Sequence, residues 1–143
     1  MTNGLNEEDQ PRTRNLSTRI SAEEQSQLAV EAALEKKGVR PVLLDVSKTS
    51  SYTDYLLLVS GRSDRHVQSL ADGLVEAFAA EGIRPIGIEG QKTGQWTLID
   101  FGDVIVHVFY HPLREFYDLE GLWHDAPRVE LTVPAESQEE PQY

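Results

Sequence analysis

The sequence has no cysteine and a single methionine. A disulfide framework, a thiolate zinc site and a cysteine nucleophile are therefore all excluded, and a reducing compartment is allowed without being required. No apolar run approaches the roughly 20 residues that span a bilayer, and the N-terminus lacks the basic-then-apolar layout of a secretory signal. The expectation is a soluble, cytoplasmic protein without membrane contact. Basic residues are the other scarcity, with 13 Lys and Arg against 24 Asp and Glu in 143 residues, a net charge of -11. The imbalance persists inside the chain, where residues 21–125 hold 17 carboxylates and nine Lys or Arg. Nucleic-acid binding draws on clustered cations that release phosphate counterions, so little direct contact with RNA or DNA is expected. A basic protein partner is electrostatically favoured, although negative charge also serves solubility by itself.

What is present fits one domain between polar ends. Residues 1–20 carry Glu7, Glu8 and Asp9 beside Arg12 and Arg14 without periodicity, and residues 126–143 are rich in Glu, Gln and Pro. Both are expected to be disordered extensions flanking a domain at 21–125. Ser21-Ala-Glu-Glu24 fits a capping box, opening a helix that carries Ala29, Val30, Ala33 and Leu34 and can stop at Gly38. Val42–Val46 and Tyr55–Gly61 read as buried strands separated by a polar loop. Ser63 can cap a second helix, whose Val67, Leu70, Ala71, Leu74, Val75 and Phe78 form one continuous stripe. Pro85–Glu89 reads as a third strand, and Gln95–Asp100 with Val104–Tyr110 as a hairpin turning at Phe101-Gly102-Asp103. After Pro112 the pattern predicts a helix with Leu113, Phe116, Tyr117, Leu119 and Trp123 on one face. The order α-β-β-α-β-β-β-α predicts an α/β (α+β) domain, a mixed sheet of about five strands with helices packed on it.

Three enzyme-like signals are weak. Ser60-Gly61-Arg62-Ser63 sits where a strand opens into a helix, a place that can hold a phosphate and resembles a nucleotidyltransferase turn. The nearby carboxylates Asp54, Asp100 and Asp103 contain no Asp-x-Asp or Asp-x-Glu pair on one strand face. His107 and His111 lie on or beside one strand, roughly 13 Å apart along its axis, too far to share a metal. No nucleophile-elbow motif supports a Ser/His/Asp triad. The expectation is no catalytic residue, no cofactor and no metal.

The hairpin is more informative. Strand alternation puts Val104, Val106 and Val108 on a core face, and Trp96, Leu98 and Asp100 on the other face with Ile105, His107 and Phe109. The mixture of aromatic anchors and charge on that second face suits a protein interface. A tryptophan packed under the terminal helix, with His107 hydrogen-bonded inside, fits the same pattern equally well.

These residues bring out a resemblance. Thr53-Asp54-Tyr55, Ser60-Gly61-Arg62-Ser63, Arg65-His66-Val67, Glu89-Gly90, the run from Trp96 to Phe109 and the run from Arg114 to Trp123 together resemble the ribosomal silencing factor family, RsfS or Iojap, over residues 21–125. The resemblance implies a nucleotidyltransferase-like fold without that family's catalytic carboxylates. It also implies a non-enzymatic factor that binds a basic large-subunit ribosomal protein, of the uL14 type, and blocks subunit joining when nutrients run short. A role in large-subunit assembly, or a nucleotide-binding enzyme, remains open beside it. The family's contact tryptophan falls on Trp96, and strand alternation extends the expected protein-binding patch to Leu98, Asp100, His107 and Phe109. The helix from Arg114 to Trp123 is expected to brace the hairpin from behind. An exposed tryptophan face can also pair with itself, so a homodimer off the ribosome stays open.

Overall fold

In a computed structural model that describes residues 20–90 and 95–138, Ser21 caps the first helix as its sequence predicts. Its hydroxyl accepts from the Glu24 N–H while the Glu24 carboxylate accepts from the Ser21 N–H. The helix, α1, runs Ala22–Glu35. It ends before Gly38, because Lys37 takes the left-handed conformation at φ 64. Gly38 serves close packing instead: a Cβ there would press on Val59 and Leu70.

Strand β1 spans Val39–Asp45 and β2 spans Tyr55–Gly61. Helix α2, Asp64–Ala80, is capped by the Ser63 hydroxyl accepting from the His66 N–H. Then come β3 (Gly87–Glu89), β4 (Trp96–Asp100) and β5 (Val104–Tyr110), with Gly102 at φ 95 in the turn between the last two. Helix α3 covers His111–Tyr117, a 3₁₀ turn covers Leu119–Trp123, and β6 (Arg128–Val129) and α4 (Ala135–Gln138) follow.

The six strands form one mixed sheet in the order β3-β4-β5-β2-β1-β6, one more strand than the sequence suggested. Only the central β5–β2 pair is parallel. Both edge strands are very short, which limits the unpaired backbone offered to other chains. The sixth strand comes from the region expected to be a tail: Val129 pairs with Leu43 and Arg128 with Leu44. Ser137 in α4 is also buried. At the other end Ile20, assigned to the N-terminal extension, packs half-buried against the core. The rest of that extension and residues 139–143 lie outside the described residues, as does the loop at 91–94.

Helices α1 and α2 cover one face of the sheet. Val67, Leu70, Ala71, Leu74 and Phe78 are fully buried there, and Val75 is half-buried at the edge of the stripe. They meet Leu57, Val59, Ile99 and the predicted valine face, Val104, Val106 and Val108, all without solvent exposure. Phe78 stacks on Phe101 with ring centroids 3.8 Å apart. Burial of each such large side chain contributes roughly 1.5–3 kcal/mol, so this helical layer supplies most of the fold's drive. The opposite face has a smaller core of Leu44, Val46, Leu56, Leu58 and Phe109, covered in part by Trp123 and Ala126.

Candidate functional site

The incompletely covered second face is where the predicted patch lies. The hairpin register places Trp96 beside Phe109, Leu98 beside His107 and Asp100 beside Ile105. All five predicted residues therefore meet on one face, but at different depths. Trp96 is 37% exposed, Leu98 and Asp100 are half-buried, His107 is 7% exposed and Phe109 is fully buried. The first three reach solvent, while the last two lie beneath them.

The indole Nε1–H of Trp96 donates to Nδ1 of His107 across 3.1 Å. The Trp96 ring also rests on Phe109, with centroids 5.3 Å apart, and the His107 ring lies parallel to that of Phe109 at 5.8 Å. Trp96 is thus fixed at its polar end and along its apolar body, so presenting it to a partner costs little ordering. Gly90 sets its backbone: at φ 81, a Cβ would run into the Trp96 carbonyl oxygen. Burial pulls the His107 pKa down to about 4, so the imidazole is neutral at physiological pH. Because Nδ1 accepts from Trp96, the ring proton resides on Nε2.

Trp123 belongs to this face rather than to the back of the hairpin. Asp118 adopts the left-handed conformation at φ 48 and ends α3, and the following 3₁₀ turn brings Trp123 to 5.6 Å from the His107 ring. The single helical face expected for 113–123 is broken at that point. Phe116 is exposed, and the side chains of Tyr117 and Leu119 lie outside the described residues. Between Trp123 and the sheet runs a groove of about 560 Å³ floored by Leu56 and Ile105. Tyr52 and Leu122, exposed by 80% and 68%, stand on its rim. Sequence periodicity gave no signal for this groove, because the loop at 49–53 and the segment 122–126 that complete it are not strand or α-helix.

The enzyme-like turn is occupied by structural bonds. The Ser60 hydroxyl, buried, accepts from Arg114 at 3.0 Å and lies 2.9 Å from His111 Nδ1, which ties α3 to the sheet. Ser63 serves as the α2 cap. The buried Asp103 carboxylate accepts from Gln25, and the Asp100 carboxylate accepts from the Gly102 N–H. Among the described residues, no three His, Asp or Glu side chains group as metal ligands.

A family model described as "Ribosomal silencing factor during starvation" matches residues 19–143. This chain belongs to the ribosomal silencing factor family. A ribosomal silencing factor RsfS from Halalkalibacterium halodurans is 42% identical over 112 residues, 78% of this chain and 96% of that protein. One from Bacillus subtilis is 38% identical over 104 residues, 73% of this chain and 88% of that protein. A mouse relative named "Mitochondrial assembly of ribosomal large subunit protein 1" is 32% identical across 63% of this chain and 41% of its own length. A crystal structure of a Chromobacterium violaceum protein superposes with a TM-score of 0.72 at 35% identity, covering 81% of this chain and 96% of that one. The silencing-factor match includes β6 and α4.

Proposed function

We propose that this ribosomal silencing factor docks through its Trp96 face on a basic protein of the large ribosomal subunit, of the uL14 type, and sterically prevents the small subunit from joining. The observation that supports this reading most directly is Trp96: a partly exposed aromatic anchor, held by His107 and Phe109, on a domain of strong negative charge. Such fixed aromatic residues carry much of the energy of protein interfaces. Leu98 and Asp100 extend the contact, whereas His107 and Phe109 hold the anchor in place. The action is translational repression in the cytoplasm under nutrient limitation, without a chemical step, and it needs only bound volume at the intersubunit surface. No described helix is long and apolar enough to cross a membrane. Away from the ribosome, the same face pairs two copies of the chain.

The name of the mouse relative favours a second reading, in which the same docking serves large-subunit assembly. A sucrose-gradient assay separates the two. Purified subunits mixed with the protein are expected to stay apart, and mixtures containing Trp96→Ala are expected to form whole ribosomes. Normal joining in the presence of bound wild-type protein would overturn silencing and leave assembly.

A further inference from the structure

The groove beside Trp96 combines three features. Much of its lining is apolar, with Tyr52, Leu98, Leu122 and Trp123 around a floor of Leu56 and Ile105, beside the hydroxyls of Thr49, Ser50 and Thr53. Asp100 and Asp125 line it, the latter 3.1 Å from His124 Nε2, and no Lys or Arg does among the described residues. It also contains a hydrogen-bond donor carried by a largely buried side chain, His107. Nδ1 of His107 is taken by Trp96, so Nε2–H projects from the opposite edge of the ring, and among the described residues nothing accepts from it. A donor at the wall of a groove gains a hydrogen bond when a ligand supplies the acceptor.

We propose that this groove receives an extended, Lys- or Arg-bearing segment of the ribosomal protein partner, with a backbone carbonyl accepting from His107 Nε2–H. The inference rests on the docking reading above and names the chemistry of the segment that docks. A neutral carbonyl fits better than a carboxylate or phosphate, because Asp100 and Asp125 repel anions. That repulsion also disfavours ribosomal RNA as the occupant. A second copy of this acidic chain, which can pair through the exposed Trp96, gains no charge complementarity inside the groove. The cationic side chain of the segment meets the two aspartates, and an apolar neighbour fits between Leu122 and Trp123. Tyr52 and Leu122 are exposed because the partner completes the groove.

The test uses full-length protein and purified large ribosomal subunits, with the equilibrium dissociation constant as the readout. Leu122→Glu and Asp125→Lys alter only exposed rim positions and are expected to weaken binding at least tenfold with no change in thermal unfolding. His107→Asn keeps an acceptor near Trp96 but removes the groove donor, whereas His107→Gln does the reverse. Asn is expected to lose more affinity than Gln. Nitrogen-detected NMR of the wild-type imidazole should report Nε2 protonated in the free protein and newly hydrogen-bonded in the complex. Wild-type binding with both rim variants unaffected would overturn the groove proposal and leave the docking reading intact. No wild-type binding to large subunits would overturn both. Loss of self-association in the rim variants, with subunit binding unchanged, would assign the groove to a second copy and also overturn the proposal.

Discussion

Trp96 and His107 are joined across adjacent strands by an indole N–H that donates to the imidazole Nδ1 at 3.1 Å. The bond ties a partly exposed indole to a histidine almost wholly withdrawn from water. Surface exposure and internal support are thereby coupled in one pair.

Removing the anchor should reduce binding without unfolding the domain. Trp96→Ala is expected to cost about 2 kcal/mol or more in binding to large ribosomal subunits, some 30-fold in affinity. Equilibrium cosedimentation measures this, with circular dichroism to verify the fold. Unchanged affinity in a folded variant would remove Trp96 from the interface.

Docking through the proposed face, which carries Asp100 and Asp125, should be sensitive to salt. Charges at an exposed rim are screened over about 8 Å at physiological ionic strength and about 3 Å at 1 M. Affinity for large subunits should therefore fall as potassium chloride rises, mostly through slower association. An association rate independent of salt would mean that the apolar contacts act alone.

Acid should destabilise the domain through His107. Its pKa is about 4 in the fold and near 6.5 in an unfolded chain, so the unfolded state binds more protons between those values. The stabilisation is complete above about pH 6.5, falls as pH drops and is gone below about 4; the span corresponds to about 3 kcal/mol. Urea denaturation at pH 7 and 4.5 measures the slope, and His107→Asn should flatten it. A variant with the wild-type slope would assign the effect to other groups, such as His66, whose burial also lowers its pKa.

Gly90 should be sensitive to the smallest substitution. Gly90→Ala adds a Cβ at positive φ against the Trp96 carbonyl, and should cost roughly 1–3 kcal/mol while shifting the Trp96 indole resonance. An unmoved indole would show that the backbone there yields without disturbing the anchor.

In the helical layer, Phe78→Ala should cost about 3–5 kcal/mol, since the fully buried ring stacks on Phe101. A loss below about 1 kcal/mol would mean that the neighbours collapse into the space.

The pattern that made the first face legible was strong periodicity. The stripe from Val67 to Phe78 and the alternation of Val104, Val106 and Val108 identify the two sides of one core before any tertiary contact is known. The limits of β2 and β5 were equally plain, because turn residues bound each run. Strand β1 was harder: its pairing with β2 is irregular between Val39 and Val42, where Arg40 takes φ 51, so the strand starts ahead of Pro41. For the second face, alternation identified which residues share a side but not what lies above them. Phe109 and His107 are submerged because Trp96 leans on one and Trp123 on the other. The approach of Trp123 depends on the reversal at Asp118, and Asp in a left-handed conformation has no periodic signature.

The parallel pairing of β2 with β5 has a consequence for how the chain acquires its structure. Tyr55 meets Val104 and Gly61 meets Tyr110, so the centre of the sheet joins segments separated by α2, β3 and β4. The first helix and the β1–β2 ladder can form as soon as they leave the exit tunnel, but they present an open inner edge until the second hairpin strand emerges. Loop closure over that distance slows folding and prolongs exposure of Leu57 and Val59. A nascent chain stalled before Val104 would therefore be the species most prone to aggregate, and its completion is a late, cooperative event.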